Sequence, residues 1–581
     1  MEILGSDIIN GVPIFKYGIY LLTAVLFGTW IHRLCLPKPI PGTIPYKKQN
    51  AKRILGDAPD MLKWRSETKE IWSYIKNLAI ELDTPIFQMF MRPFGKPWVI
   101  LTDFRESQDI QLNRQHEFDR STYIGEVFGP LLPGNHVWMP SNDTFKAHRH
   151  LIRDTMSPSF LEGVVGPSIH ASTRQLIELW QVRARLAKER PFDASKDIIR
   201  NLVDVIIKAT FGFQVNAIKT QAKVVTGLSS VHVPTDVDAA VEFPEAEDPK
   251  AYTSVRDLVD SLHIAQNSPV PRQHLTFALK FYPYLAAARK WNEDMMGKRL
   301  QLAWKKFSAN ADRDDQVESA VDLLVQREAQ MAQRQNRDVQ YDTRVIRDEL
   351  FGFFAAGHET TSTTICWAVK FLTKHQDVQK RLRSALQKTH KRAFKEGDLP
   401  TSMEITRTDV PYLDAFIEEN HRLGQAIPAV IRMATRDTVI LGHFIPKGTD
   451  VFMMMNGPSY QSPALQVSES VRTKGSQESK NKYGVWNDLD IGEFRPERWL
   501  SQEENGDVKF NPFAGPALPY GLGLRGCFGI KLAVLELRVI ITLLVWSFEM
   551  LPTPELLSGF KGDDMNTHRA QQVYLRLKPI G

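Results

Sequence analysis

One turn near the carboxyl end of the chain reads Tyr520-Gly521-Leu522-Gly523-Leu524-Arg525-Gly526-Cys527-Phe528-Gly529, and it leads directly into an apolar segment from Ile530 to Trp546. A thiolate in this turn would lie at the N-terminal end of a predicted helix. Free backbone N–H groups and aligned peptide dipoles at that end stabilise negative charge, and the ionised sulfur is the form that binds metal. We therefore interpret Cys527 as a candidate metal ligand.

The residues around Cys527 suit one kind of metal centre. Gly521 and Gly529 carry no side chain that would keep a flat macrocycle away from the backbone. Arg525 offers a fixed positive fork for an anionic group such as a carboxylate. These are the properties of the axial thiolate of a haem iron, a ligand that favours O–O cleavage. Taken alone, the segment leaves open a second interpretation, an inert buried cysteine in a glycine-rich loop before a core helix.

Composition excludes several other classes of protein. The 581 residues are 43% apolar and 24% charged, which is typical of a globular protein with an ample core. A net charge of +6 is small for this length and does not indicate a nucleic-acid binder. Cys35, Cys366 and Cys527 cannot form a disulfide framework, and they are compatible with a reducing compartment.

The N-terminus carries an apolar stretch over residues 17–31. Counted from Val12, with Lys16 reaching towards the headgroups, it is long enough to span a membrane. A cleaved signal peptide is the alternative, but the apolar region would be long and no small-residue cleavage site follows it. Basic residues follow the span, so the positive-inside rule places the body of the protein in the cytosol. The predicted segments are a lumenal N-terminus (1–11), a transmembrane anchor (12–32), a proline-rich connector (33–46) and a folded body (47–581).

Helical periodicity dominates the body, which we predict to be mainly α with small β-sheets. One long helix is predicted from a cap at Asp342 or Thr343 to about residue 375. Residues 98–101 are predicted to form a strand, and residues 439–442 are predicted to pair with 451–453 as a hairpin. The polar, serine-rich segment 457–482 is predicted to be a disordered loop.

The long predicted helix contains Ala356-Gly357-His358-Glu359-Thr360. Ala356 and Gly357 leave one patch nearly free of side chains, so a flat group and a diatomic ligand could approach the backbone closely. Glu359 and Thr360 place a carboxylate and a hydroxyl beside that patch, and such a pair can deliver protons through ordered water. The alternative is a threonine that caps a kink and a glutamate on a solvated face.

These segments together resemble the cytochrome P450 family. The cysteine turn matches the family pattern Phe-x-x-Gly-x-Arg-x-Cys-x-Gly at Gly523, Arg525, Cys527 and Gly529, with Tyr520 in place of the phenylalanine. The segment around Glu359 matches the family motif Ala/Gly-Gly-x-Asp/Glu-Thr. The resemblance implies the cytochrome P450 fold, mainly α with small sheets after a single transmembrane helix, and a haem-thiolate monooxygenase catalytic domain over residues 47–581.

The resemblance also implies roles for particular residues. Haem b is expected to bind through the Cys527 thiolate, and its other contacts are expected from Arg149, Arg432, Tyr520, Gly521, Arg525 and Gly529. Phe145 replaces the tryptophan of the family's Trp-x-x-x-Arg, which ends at Arg149, and so one N–H donor is lost. A Glu-x-x-Arg pair, common on solvated surfaces, is assigned with a third residue to a structural cluster: Glu419, Arg422 and Arg498. Residues 123–136 are expected to form part of the pocket roof, and the substrate is expected to contact Phe353, Phe354, Ala356, Ile427, Ala429, Val430 and Ile431.

The implied reaction inserts one oxygen atom from molecular oxygen into a substrate, with Glu359 and Thr360 as the catalytic proton donors. Electrons come from NADPH through a reductase, and the implied location is the endoplasmic reticulum membrane. The apolar pocket residues favour a lipophilic substrate, such as a terpenoid or polyketide of fungal specialised metabolism. Two alternatives are a haem-thiolate isomerase or dehydratase that acts on a peroxide without a reductase, and a non-catalytic membrane-bound haem or lipid binder.

Overall fold

Helices make up most of the chain and small sheets complete it, in agreement with the predicted fold class. The structure, a computed structural model, describes residues 11–308, 314–482, 486 and 488–580. The first eleven helices are α1 (Gly11–Cys35), α2 (Ala58–Thr68), α3 (Ile71–Glu81), α4 (Phe104–Leu112), α5 (Thr122–Phe128), α6 (Asp143–Ile152), α7 (Pro158–Phe160), α8 (Gly166–Ala187), α9 (Ser195–Phe211), α10 (Ala217–Thr226) and α11 (Lys250–Asp260). The others are α12 (Leu262–Gln266), α13 (Pro271–Phe281), α14 (Pro283–Phe307), α15 (Ala320–Gln335), α16 (Arg344–Lys374), α17 (Gln376–Thr389), α18 (Lys391–Glu396), α19 (Ser402–Arg407), α20 (Pro411–Gly424), α21 (Lys474–Ser479) and α22 (Ile530–Ser547).

Short strands form a five-stranded sheet and several smaller ones. The strands are β1 (Ile86–Met89), β2 (Trp98–Leu101), β3 (Phe118–Arg120), β4 (Phe192–Asp193), β5 (Ala429–Ala434), β6 (Thr438–Ile440), β7 (His443–Ile445), β8 (Asp450–Met454), β9 (Leu500–Gln502), β10 (Val508–Phe510), β11 (Phe548–Leu551), β12 (Gly562–Asp564), β13 (His568–Ala570) and β14 (Tyr574–Pro579). The large sheet has the order β1-β2-β8-β5-β3, in which only the β2–β8 pair is parallel. The predicted strand 98–101 is confirmed as β2.

The predicted hairpin between residues 439–442 and 451–453 is wrong. Strand β6 pairs with β7 instead, with Ile440 opposite His443. The turn between them uses two left-handed residues, Leu441 at φ 48° and Gly442 at φ 79°, a geometry that matches the twist of a two-residue hairpin. Strand β8 is thereby free to join the large sheet between β2 and β5.

Helix α16 runs through the centre of the main hydrophobic core. Of its two predicted N-caps, Thr343 is the one used, because the Thr343 hydroxyl accepts a hydrogen bond from the backbone N–H of Ile346 at 3.3 Å. Its carboxyl-terminal half is buried on every side, and helices α9, α20 and α22 pack against it. The stretch 530–547 forms α22, so one segment that the sequence marks as functional lies on α16 and the other, the cysteine turn, directly precedes the neighbouring helix α22.

The N-terminal helix α1 overlaps the predicted anchor. Its residues Tyr17–Cys35 are long and apolar enough to cross a membrane, and none of this window is buried inside the protein. The predicted lumenal segment 1–11 lies, apart from Gly11, outside the described residues. Within the predicted connector, the backbone N–H of Ile40 donates to Gln88 at 2.7 Å and ties this stretch to the large sheet.

Candidate active site

The turn that contains Cys527 is held by its own backbone. The N–H of Cys527 donates to the carbonyl of Tyr520 at 2.8 Å, and the N–H of Gly526 donates to the carbonyl of Gly523 at 3.0 Å. Gly521 and Gly523 have φ values of 62° and 67°, which favour glycine. Helix α22 begins three residues after the cysteine, so Cys527 lies at the helix N-terminus as predicted from the sequence.

Cys527 borders two adjoining cavities of about 350 and 310 Å³. Each volume falls in the range of small-molecule sites. Burial raises the pKa of the Cys527 thiol, while the backbone N–H of Gly529 and the charge of Arg149 lower it in opposition. A coordinated metal cation would oppose the effect of burial and stabilise the thiolate.

Four arginines converge on these cavities: Arg120, Arg149, Arg432 and Arg525. Strands β3 and β5 place Arg120 directly opposite Arg432. Burial, reinforced by repulsion from neighbouring arginines, lowers the pKa of Arg120 and lowers the pKa of Arg432 to about 10. Burial also lowers the pKa of Arg525 to about 10. The site is therefore strongly positive and poorly solvated.

Several N–H groups of this cluster have no hydrogen-bond partner among the described residues. They are the buried Nε of Arg120 and the buried Nε and Nη1 of Arg525. The ion pair that Arg525 makes with Asp119 is long, at 3.6 Å between Nε and Oδ1. Buried, unpaired, positively charged donors are costly unless an anion satisfies them. Two propionates on the edge of a haem fit this requirement, and with the Cys527 thiolate the residues present fit the cofactor.

Arg120 was not predicted from the sequence. It lies in neither the cysteine turn nor the long helix, and only the pairing register of β3 with β5 brings it opposite Arg432. Arg149, which was predicted, also braces the cysteine turn itself, because its Nη1 donates to the carbonyl of Leu524 at 2.7 Å.

The two departures from the family pattern have local explanations. The ring centroid of Phe145 lies 3.9 Å from the guanidinium carbon of Arg525. The ring therefore supports that arginine through a cation–π contact instead of donating an N–H. The hydroxyl of Tyr520 finds a partner in Nε2 of His421 on α20, at 2.9 Å. Burial raises the pKa of Tyr520 and lowers the pKa of His421 to about 4, so both groups are neutral near pH 7.

Helix α16 presents its small residues and Thr360 to the larger cavity. Ala356 is exposed to it, and behind it Gly357 packs so closely that a Cβ there would lie 2.7 Å from the Ile206 side chain. The Thr360 hydroxyl donates to the carbonyl of Ala356 at 2.8 Å. A hydroxyl keeps its acceptor capacity when it donates, so Thr360 can still bind water from the cavity.

Glu359 is buried, and its carboxylate contacts the hairpin of strands β12 and β13 and the turn between them, residues 562–570. Its Oε1 lies 2.8 Å from the Arg569 guanidinium and 3.2 Å from the Thr567 hydroxyl. Asn566 donates to its Oε2 at 3.4 Å. The carboxylate borders the cavity, but its charge is already compensated, so Thr360 is the freer of the two proton-carrying groups.

Most predicted substrate contacts lie at the cavities. Phe353, Ala356 and Ile427 border the larger one, and Ala429, Val430 and Ile431 border the other. The predicted roof, residues 123–136, contributes Phe128, Leu132, Asn135 and His136. The larger cavity is also less uniformly apolar than predicted, because Gln266, Asn566 and Thr567 line it.

Phe354 departs from the predicted substrate set. It is fully buried in the core, where its ring stacks on His358 at 4.6 Å between centroids and also meets Phe211. Phe354 lies about 100° around the helix from Phe353, and this turn places it on the core side of α16 while Phe353 borders the cavity.

The Glu-x-x-Arg pair forms a buried cluster below the site. Two nitrogens of Arg422 contact the two carboxylate oxygens of Glu419 at 2.7 and 2.8 Å, and neither side chain is exposed. The same carboxylate accepts from the Trp499 indole at 2.9 Å. Arg498 is more distant, at 3.7 Å from Glu419, and pairs chiefly with Asp490. The structure thus brings the three predicted residues together, with Arg498 at the edge of the cluster.

Arg422 also donates hydrogen bonds to backbone carbonyls that lie far from it in the sequence. Its Nη1 donates to the carbonyls of Tyr460 and Ile491 at 2.6 and 2.7 Å, and its Nη2 donates to the carbonyl of Glu493 at 3.1 Å. Because these bonds satisfy a buried ion pair in full, loss of either partner would leave an uncompensated charge. The cluster fixes the chain that leads towards the cysteine turn.

Comparison with known proteins agrees with this geometry. The family model described as Cytochrome P450 matches residues 60–461 and 490–558. The chain is 49% identical over 562 residues to Cytochrome P450 monooxygenase GME11363 of Pestalotiopsis microspora, covering 96% of this chain and 97% of that protein. It is 36% identical over 578 residues to Cytochrome P450 monooxygenase TRI13 of Fusarium sporotrichioides, covering 95% and 97%.

A solved structure supports the fold alone. The crystal structure of a cytochrome P450 (CYP102L1) superposes with a TM-score of 0.63 at 20% identity, covering 94% of this chain and 100% of that one. The chain therefore belongs to the cytochrome P450 family of monooxygenases, oxidoreductases that carry haem on a cysteine thiolate and receive electrons from a reductase.

Proposed function

We propose that this chain inserts one oxygen atom from molecular oxygen into a lipophilic small molecule of fungal specialised metabolism, such as a terpenoid or a polyketide. The observation that carries the proposal is that Cys527 and Thr360 border both cavities together with Arg120 and Arg525, while Arg149 borders the larger cavity and Arg432 the other. The fungal origin of the similar proteins supports the metabolic setting. Haem bound through Cys527 supplies the oxygen-activating chemistry.

The residues of the chain divide the remaining work. Cys527 would hold the iron, and Arg120, Arg149, Arg432 and Arg525 would bind the propionates. Tyr520, Gly521 and Gly529 would contact the macrocycle. Thr360, assisted by Glu359, holds water at its hydroxyl and passes protons into the cavity. Apolar lining excludes bulk water and binds the substrate, and Gln266, Asn566 and Thr567 can orient one polar substituent.

The test is a comparison of metabolites in a fungal host with and without the gene, followed by the purified chain with a reductase, NADPH and isotope-labelled molecular oxygen. We expect a product heavier than its precursor by one oxygen atom, and we expect that atom to carry the label. Conversion of a hydroperoxide without NADPH would instead identify an isomerase or dehydratase. A bound lipophile that shifts the haem spectrum and is never oxidised would identify a non-catalytic binder.

We further propose that α1 anchors the chain in the endoplasmic reticulum membrane, with the body in the cytosol and an NADPH-dependent reductase as partner. The exposed apolar helix and the basic residues that follow it support this orientation. In cell fractions washed with alkaline carbonate, the full chain should stay with the membrane and a chain of residues 33–581 should be largely released. Removal of residues 1–10 alone should change nothing. Release of the full chain by the wash would contradict the anchor.

A further inference from the structure

Residues 462–489 fall between the two stretches that match the family, and the described residues 462–482 of this part are here called the insert segment. This segment is ordered, which overturns the predicted disordered loop at 457–482, and its helix α21 packs on α4. We propose that the insert segment clamps α4 and, through α4, positions the turn that carries Cys527. The proposal rests on the proposed role of Cys527 as the iron ligand.

The first contact of the clamp is a buried, bidentate ion pair. Nη1 and Nη2 of Arg472 each contact one carboxylate oxygen of Asp103 at 2.7 Å, and the side chains are only 6% and 4% exposed. Asp103 is the N-cap of α4 and accepts from the backbone N–H of Glu106 at 2.8 Å. The insert segment therefore binds the side chain that starts the helix. Loss of Arg472 would strand a buried carboxylate at this position.

A second ion pair and a close approach complete the contact. Arg105, on α4, holds Glu469 of the insert segment at 2.7 and 2.9 Å. The Thr473 hydroxyl donates to Asp109 at 2.6 Å. A Cβ at Gly475 would lie only 2.0 Å from the same carboxylate, so α21 can seat here only with glycine at that position. The segment is thus shaped to fit the acidic face of α4.

The opposite end of α4 touches the cysteine turn. The Gln111 side-chain oxygen accepts from the backbone N–H of Leu522 at 2.9 Å, and Gln111 is only 3% exposed. The backbone approaches too, because a Cβ at Gly523 would lie 2.5 Å from the Gln111 carbonyl oxygen. A movement of α4 would therefore displace the turn four or five residues before Cys527.

Helix α4 needs such external support. It has nine residues, and an isolated helix of that length is not stable in water. Asp103, Glu106 and Asp109 lie on or beside it, and all three are buried. Burial raises the pKa of Glu106 to about 7, while Arg114 and Ser476 of the insert segment lower it in opposition. The segment thus supplies the charge and hydrogen bonds that keep this acidic helix in place.

The test compares Arg472→Ala with wild type in the full haem-loaded chain. The first readout is hydrogen exchange of the backbone amides at 520–526, which we expect to become about tenfold faster because a charge-assisted contact worth a factor of ten or more is lost. The second is the carbon-monoxide complex of the reduced protein, in which part of the red-shifted Soret band of a thiolate-bound haem should move to the shorter wavelength of a haem without thiolate. Amides in α16 should exchange as in wild type.

Matched variants keep the test decisive. Lys474→Ala removes a side chain of the same segment that is 90% exposed, and it should behave as wild type. Gln111→Leu should accelerate exchange at 520–526 without disturbing the insert segment, and it decides the question if Arg472→Ala unfolds globally. Wild-type exchange at 520–526 in Gln111→Leu, or in a folded Arg472→Ala, would overturn the clamp. If the wild-type protein lacks the thiolate band, the iron-ligand role of Cys527 is refuted. The hydrogen-exchange measurement still tests the clamp in that case.

Discussion

Cys527→Ala is expected to abolish the red-shifted Soret band of the reduced carbon-monoxide complex and, with it, all insertion of oxygen into substrate. The band reports a thiolate on the haem iron, and the electron density of that ligand favours O–O cleavage. Neither remaining cysteine can substitute. Cys35 lies in α1, and Cys366 lies in the core of α16, where burial raises the pKa of its thiol to about 12.

The matched control is Cys366→Ala, which removes a thiol that borders neither of the two cavities at Cys527. It should keep the band and the activity. Thermal unfolding of both haem-free variants would show that each has folded. An unchanged band in Cys527→Ala would remove this sulfur from the iron and, with it, the basis of the proposed reaction.

Thr360→Ala is expected to bind haem and substrate normally but to form product about a hundredfold more slowly, the lower end of the range for loss of a proton-transfer group. The Thr360 hydroxyl borders the cavity and is anchored on the Ala356 carbonyl at 2.8 Å. Glu359 cannot readily replace it, because its carboxylate is held by Arg569 at 2.8 Å. Electrons from NADPH should therefore appear as hydrogen peroxide instead of oxygenated product.

The measurement is the ratio of product and of peroxide to NADPH consumed, with haem content taken from the absorption spectrum. Thr360→Ser keeps a hydroxyl at the same position and should restore most of the coupling. Product formed in full proportion to NADPH by Thr360→Ala would refute the proton-delivery role.

Local signals in the sequence were sufficient for the central helices and the cysteine turn. Thr343 is a strong N-cap residue before a long apolar periodicity, and the helix it begins ends within one residue of the prediction. The cysteine turn was also recognisable from its local sequence, since two of its glycines, Gly521 and Gly523, occupy the left-handed conformations that glycine favours. Such features depend on neighbours in the chain, so sequence reasoning reaches them.

The misses depend on contacts between distant residues or on rare local choices. The hairpin was misplaced because Leu441, not a typical turn residue, adopts a left-handed conformation. Phe354 has the chemistry of a pocket residue, and only the packing of Phe211 assigns it to the core. Arg120 reaches the site through strand register. The insert segment looked disordered because its stabilising partners, Asp103 and Asp109, lie more than 360 residues earlier.

The double hydrogen bond of Arg422 has a consequence for how this enzyme can change over time. The carbonyls of Tyr460 and Ile491 accept hydrogen bonds from the same nitrogen, so the chain leaves the core and returns to it at nearly the same point. A far shorter loop could join these two residues at little entropic cost. We therefore expect the core around α20 to tolerate replacement or shortening of the stretch between Tyr460 and Ile491. Helix α4, against which this stretch packs, should be the first element that such an exchange affects.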